Sequence, residues 1–186
     1  MTPPRETFTV DVAGVKRELP LFEVAPGVRI AILNILGDTE LVSAAAGALA
    51  ERVRDFGPDV LVTAETKSIP LVHELSEKLD LPYVVLRKQY RPYMGDALEV
   101  ETLSITTGVP QTLYLDEKDR GLLKGKRVVI VDDVISTGST LEAMRKVVKE
   151  AGGTTVGEAA VFTEGDKAQW QEQKIVAVGH LPVFTS

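Results

Sequence analysis

Cysteine is absent from the 186 residues, so disulfides, thiolate metal sites and thiol nucleophiles are all excluded, and a reducing compartment suits the chain. Histidine is nearly absent as well: His73 and His180 are too few for a histidine-rich metal centre. There is no basic excess, because 27 acidic residues stand against 21 basic ones for a net charge of −6. Binding along a nucleic-acid backbone ordinarily shows such an excess, whereas a local basic patch for a small anion stays open. Long apolar runs are also lacking, since Arg29 and Asn34, or Glu40 and Glu51, interrupt the most apolar stretches. None approaches the ~18 residues of a membrane span. Residues 1–20 carry Arg5, Glu6, Asp11, Lys16, Arg17 and Glu18 with no apolar core, so no secretory signal is expected. What is present, 44% hydrophobic and 26% charged residues, is the composition of an ordinary globule. At this length one domain is expected, burying about 70% of its unfolded surface. The expectation is a soluble, cytoplasmic protein.

Residues 1–36 hold short β-prone pieces, Phe8 to Val12 and Val28 to Leu33, separated by Pro20, Pro26 and Gly27, and read as an irregular cap. Asp38 or Thr39 can cap a helix running to about Asp55, stopped by Gly57 and Pro58. Val60 to Thr63 predicts a buried strand, Pro70 to Leu79 a helix, and Tyr83 to Leu86 a second strand. The stretch 87–112, with Pro92, Gly95, Gly108 and Pro110 among mixed charges, predicts a long irregular excursion of functional type. Val128 to Val131 is a third strand, followed by a helix with Leu141, Met144, Val147 and Val148 on one face and a stop at Gly152 and Gly153. Val156 to Phe162 and Ile175 to Val178 predict two more strands. Near-continuous apolar strands joined by helices imply an α/β fold with a central, mostly parallel sheet flanked by helices.

The chemistry concentrates in VVIVDDVISTGST, Val128 to Thr140. Asp132 and Asp133 fall at the carboxyl end of a strand, where open parallel sheets bind ligands. Ser136, Thr137, Gly138, Ser139 and Thr140 then offer hydroxyls, close backbone approach and the free N–H groups of a helix start, a cradle for phosphate. Two carboxylates beside a phosphate call for hydroxyl donors or a cation, and a ribose diol with Mg²⁺ nearby meets both needs. The plainer reading is a Ser139/Glu142 capping box after an acidic turn. Neither G-x-x-x-x-G-K-[ST] nor G-x-G-x-x-G occurs.

This segment resembles the phosphoribosyl pyrophosphate signature of the type I phosphoribosyltransferases, and the likeness extends over roughly residues 28–165. It implies that fold, with residues 1–36 as a small N-terminal hood and 87–112 as a mobile active-site loop in a single domain over 1–186. By the same resemblance, Asp132 and Asp133 hold the ribose hydroxyls and Ser136 to Thr140 the 5′-phosphate. Glu65, Thr66 and Lys67 match the pyrophosphate loop, where the family often has glycine at the place of Ser68. Arg87, Lys88 and Arg91 become further pyrophosphate contacts, and Asp132, Asp133 and Lys67 the catalytic set. The resemblance lies nearest the adenine and xanthine enzymes. Ser136 stands where the hypoxanthine-guanine group usually has aspartate. The Ser-x-Glu-Tyr stretch of adenine enzymes is matched by Ser104, Ile105, Thr106 and Thr107, without the acid. LNILGD, Leu33 to Asp38, resembles the xanthine enzymes' base-recognition segment, pointing at Asn34, and Glu164 matches an acidic position near the base. The implied activity is a purine phosphoribosyltransferase of purine salvage, using Mg²⁺ brought mainly by phosphoribosyl pyrophosphate and working as a homodimer. The alternative is a non-catalytic regulatory protein binding the same sugar diphosphate.

Overall fold

The computed structural model describes residues 6–103, 110–171 and 174–185. The chain begins with strands β1 (Thr7–Val12), β2 (Val15–Ala25) and β3 (Val28–Ala31), then helix α1 (Thr39–Arg54), strand β4 (Val60–Ala64), helix α2 (Ile69–Leu79) and strand β5 (Tyr83–Leu86). After a 3-10 turn at Pro92–Met94 come β6 (Leu98–Leu103), β7 (Pro110–Leu115), a second 3-10 turn and the one-turn helix α3 (Arg120–Leu123). The remainder is β8 (Arg127–Ile135), α4 (Ser139–Glu150), β9 (Thr154–Glu164), α5 (Ala168–Gln171), β10 (Ile175–Leu181) and β11 (Val183–Thr185).

Five parallel strands form the central sheet in the order β10-β9-β8-β4-β5. Its apolar strands are covered on both faces, and side-chain alternation distributes them between two cores. In β8, Val129 and Val131 pack with α1 and α2, whereas Val128 and Ile130 pack with α4 and the β6/β7 hairpin. The next residues, Asp132 and Asp133, stand at the carboxyl end of the strand, where both line one cavity. The chain also reverses its progress across the sheet between β4 and β8. β5 is added on one side of β4, after which β8, β9 and β10 are added on the other. The loops leaving β4 and β8 therefore part in opposite directions and leave a crevice at the carboxyl ends of these strands, where such sheets bind ligands.

The helices begin and end close to the expected positions. Asp38 is the N-cap of α1, its carboxylate accepting the Leu41 N–H at 3.1 Å. Arg17 of β2 grips the same carboxylate, at 2.7 and 2.8 Å, and also reaches Glu40 at 2.8 Å. The capping box at Ser139 does not form. The cap of α4 is Gly138, in the left-handed region with φ 81°, and no side chain caps the helix.

Two expectations are corrected. The N-terminal segment is not irregular: β1, β2, β3 and β11 make a four-stranded antiparallel sheet. A tight turn at Ala13 and Gly14, both with positive φ, suits the strand twist and joins β1 to β2. Val10, Val12, Leu19, Leu21 and Ala31 bury its inner face in the same core as α1 and α2. Strand β2 escapes an apolar-run search because Lys16 and Glu18 alternate with half-buried and buried neighbours, the pattern of a strand wet on one side. The stretch 87–112 is likewise ordered in part. β6 and β7 pair antiparallel from Leu98/Leu115 to Leu103/Pro110, with Val100 and Leu113 in the α4-side core. Residues 104–109, including the Ser104 to Thr107 stretch, lie outside the described residues. Among the described residues no helix is long and apolar enough to cross a membrane.

Candidate active site

The loops after β4 and β8 meet through Ser68. Its hydroxyl donates to Asp132 Oδ1 at 2.7 Å and accepts the Asp133 N–H at 3.1 Å, while that N–H also lies 2.8 Å from the same carboxylate oxygen. One strand position earlier, Thr63 Oγ1 donates to the Val131 carbonyl at 2.7 Å, a second hydroxyl bond from β4 to β8. Lys67 meets the second aspartate: its Nζ lies 3.1 Å from Asp133 Oδ2 and donates to the Leu33 carbonyl at 3.2 Å. Asp133 is 7% exposed, and its Oδ2 meets Lys67 as an ion pair without a directional hydrogen bond.

The two carboxylates are thus not equivalent. Asp133 is buried and paired, whereas Asp132 is half-buried; both line a cavity of about 290 Å³ together with Thr66, Lys67, Lys88 and Thr140. Burial first and the neighbouring Asp133 charge second push the Asp132 carboxyl up to about 7, only partly opposed by the Ser68 hydroxyl.

Beside this cavity a smaller one of about 30 Å³ opens onto the start of α4, lined by Asp132, Ser136, Thr137, Gly138 and Thr140. Ser139 is the first helical residue, with its Oγ 3.1 Å from Thr137 Oγ1. The uncapped first turn presents N–H groups and the positive end of the helix dipole to this space, an arrangement suited to an anion. Trp170 of α5 closes the other side. Its indole lies 3.7 Å from where a Cβ on Gly138 would stand, and its Nε1 donates to the Glu164 carbonyl at 3.1 Å.

The structure separates the three loop cations expected to act together. Lys88 lines the cavity, and its N–H donates to Glu65 at 2.9 Å. Arg87 turns away to form an ion pair with Glu65 and to donate to the Tyr93 hydroxyl at 3.2 Å. Arg91 reaches Gln89 at 3.1 Å and lines neither cavity. Glu65 consequently braces the end of β5, and the peptide between it and Thr66 is cis.

Asn34 is exposed and accepts the Leu36 N–H at 3.2 Å, an Asx turn, although the neighbouring Leu33 carbonyl touches Lys67. Glu164 is 8% exposed, one residue beyond the Ile135–Thr163 pairing, and desolvation raises its carboxyl above the ordinary range. Sequence reasoning missed the contact of Ser68 with the acidic pair and missed Trp170, whose one signal was being the sole tryptophan. Among the described residues no group of three or more histidines or carboxylates converges into a cation cage. With Asp132 Oδ1 hydrogen-bonded and Asp133 paired, the donor set suits a cation that would arrive with an oxygen-rich ligand better than one held by the protein alone, and Asp132 would be the residue to meet it.

Residues 33–180 match the phosphoribosyl transferase domain family. The chain is 38% identical over 124 residues to a hypoxanthine/guanine phosphoribosyltransferase of Methanocaldococcus jannaschii, covering 66% of this chain and 64% of that one. It is 42% identical over 115 residues to a protein of the same name from Methanosarcina acetivorans, covering 61% and 57%. It therefore spans somewhat less than two thirds of the length of these curated relatives. Among solved structures, an adenine phosphoribosyltransferase from Rhodothermus marinus superposes with a TM-score of 0.64 at 26% identity over 94% of each chain. A purine phosphoribosyltransferase from Pyrococcus horikoshii gives 0.52 at 28% identity, over 76% of this chain and 83% of that one. The curated relatives' names do not follow the expectation that Ser136 sets the hypoxanthine-guanine group aside.

Proposed function

The chain belongs to the phosphoribosyl transferase domain family, and from that premise we propose that it transfers the 5-phosphoribosyl group of phosphoribosyl pyrophosphate to a purine base, releasing pyrophosphate. The observation that carries the reading is the β4/β8 crevice, in which an acidic pair, a lysine and an uncapped helix start adjoin one another. In this reaction a ring nitrogen of the base forms the bond to C1 and gives up its proton to solvent, as the C1–oxygen bond to the diphosphate breaks and that bond's electron pair leaves with pyrophosphate. The start of α4, with Ser136, Thr137, Ser139 and Thr140, holds the 5′-phosphate. The free oxygen of Asp132 accepts the ribose hydroxyls and favours the positive charge growing at the sugar. Asp133 serves differently, as the anchor that keeps Lys67 at the cavity wall.

Lys67, half exposed, stands with Lys88 and Thr66 on the diphosphate side. Mg²⁺ brought with the substrate would add charge neutralisation for the leaving group to that of Lys67 and Lys88. Arg87 and Arg91 join the diphosphate side only through movement of the 87–112 segment, which we retain as the element that excludes water. Glu164 is proposed at the base. Asn34 contributes there by its position in the 33–36 turn, which Lys67 ties to the cavity. The narrower adenine-or-xanthine reading is supported by the adenine-named solved structure, and a hypoxanthine/guanine reading by the curated relatives' names. No observation favours the regulatory alternative. A homodimer belongs to the proposal and is tested by sedimentation.

The deciding experiment mixes the protein with magnesium and phosphoribosyl pyrophosphate and a panel of adenine, xanthine, hypoxanthine, guanine, uracil and orotate, measuring nucleotide and pyrophosphate together. Nucleotide from one or more purines is expected. Folded protein that yields none from any base refutes the reading.

A further inference from the structure

Ser68 occupies a place where serine ordinarily does something else. It is the N-cap residue of α2, and serine is among the preferred residues for satisfying the first N–H groups of a helix, yet no side-chain cap forms. The hydroxyl is spent instead on residues 64 and 65 positions away, donating to Asp132 and accepting from the Asp133 N–H. The side chain is 3% exposed, so water does not replace these partners. Its backbone, φ −81° and ψ −7°, is ordinary for any residue. Nothing in that conformation calls for the glycine that the resembled family often has here.

The consequence falls on Asp132. Carboxylate torsions are broad and nearly two-fold, so a half-buried aspartate has no orientation of its own. Here Oδ1 takes both the Ser68 hydroxyl and the Asp133 N–H, which fixes the plane of the carboxylate and leaves Oδ2 outside both bonds, beside the cavity that Asp132 lines.

We propose that Ser68 is a positioning residue for sugar binding: by holding Asp132 Oδ1 from the β4 loop, it presents Asp132 Oδ2 to the ribose hydroxyls and couples the diphosphate-side loop to the sugar site. The proposal deepens the function given above and rests on it. It requires that loss of the hydroxyl weaken recognition of the sugar while sparing the phosphate cradle, since the hydroxyl's bonds end on Asp132 and Asp133 and not on residues 136–140. A purely structural serine would affect both alike.

The test compares the wild type, Ser68→Ala and Ser68→Gly with Thr63→Val, which removes the neighbouring β4-to-β8 hydroxyl bond that ends on a backbone carbonyl and not on the acidic pair. Ribose 5-phosphate binding is measured by calorimetry. Inorganic phosphate binding is followed by NMR at Gly138. Hydrogen bonds to charged groups set the scale: Ser68→Ala and Ser68→Gly should each weaken ribose 5-phosphate by about tenfold or more while leaving phosphate within about twofold. With a turned-over purine, KM for phosphoribosyl pyrophosphate should rise by a similar factor and KM for the base stay put. Thr63→Val should lower the melting temperature with ribose 5-phosphate affinity unchanged. Wild-type affinity for ribose 5-phosphate in both Ser68 variants, or equal loss of ribose 5-phosphate and phosphate, overturns the assignment of Ser68 alone. Failure of the wild type itself to bind ribose 5-phosphate overturns the function and this proposal together.

Discussion

Replacing Gly138 by alanine isolates the backbone contribution to the anion cradle. Gly138 caps α4 at φ 81°, a conformation that costs an L-residue about 1–2 kcal/mol. Steric crowding adds nothing to this, because a Cβ there would meet the Trp170 ring at 3.7 Å, ordinary van der Waals contact. The expected loss of stability is therefore about 1–2 kcal/mol, or a fall in melting temperature of roughly 2–8 °C for a chain of this size. Asparagine tolerates the left-handed region better than alanine, so Gly138→Asn should lose less. Phosphate binding should suffer more than stability, since relaxing φ swings the first N–H groups of α4 away from a common focus. Trp170 supplies the assay: as the sole tryptophan, packed on this glycine, it reports urea unfolding and ligand binding in one fluorescence signal. Gly138→Ala with wild-type stability and undiminished phosphate binding would refute both the strained-cap reasoning and the placement of the cradle.

Other perturbations act through charge. Combining Asp132→Asn with Asp133→Asn should abolish ribose 5-phosphate binding while circular dichroism stays native, and retained binding sinks the assignment. The folded chain keeps the Asp132 proton up to about 7, against an ordinary carboxyl near 3.8. It binds more protons than the unfolded chain across that interval, so this group's contribution to stability is lost as pH rises from about 4 through 7. Asp132→Asn should accordingly gain on the ligand-free wild type between pH 5 and pH 8 in unfolding free energy from urea titration, by about 1 kcal/mol or more. Equal midpoint shifts at both pH values would contradict this. Arg17→Ala removes the grip on the α1 cap and should lower the urea midpoint slightly near neutrality. Arg17 holds the Asp38 carboxyl below the ordinary range, so that cost should fade as pH falls through the carboxylate range, a trend read from acid titration of both proteins.

Much of the site is legible along the chain. Val128 to Thr140 contains strand, acidic pair, glycine and helix start as covalent neighbours, and each signal there is local. The places where reading along the chain falls short share a different character. Strand β2 hides behind alternating charges, and three-residue β11 is defined only by pairing with β3. Arg87 and Lys88 are adjacent in sequence, but Glu65 draws Arg87 off to Tyr93 while Lys88 faces the cavity. Ser139 and Glu142 carry a capping pattern that the left-handed Gly138 displaces by one residue. Asn34 has a base-contacting motif around it and a side chain folded onto its own turn.

The chain's deficits, no cysteine, hardly any histidine and no basic excess, by themselves exclude thiol chemistry and a histidine cage, and its local patterns determine the parallel strands and the helix start that suits a phosphate. These follow from side-chain chemistry and from the periods of strand and helix, which need no distant partner. Tertiary structure alone decides that Ser68 and Lys67 reach Asp132 and Asp133, and that the two aspartates hold different partners and are buried to different degrees. The physical reason is the order of strands in the sheet. Placing β4 beside β8 brings together loops more than sixty residues apart, and which oxygen is left free depends on contacts that exist only once that crevice has closed.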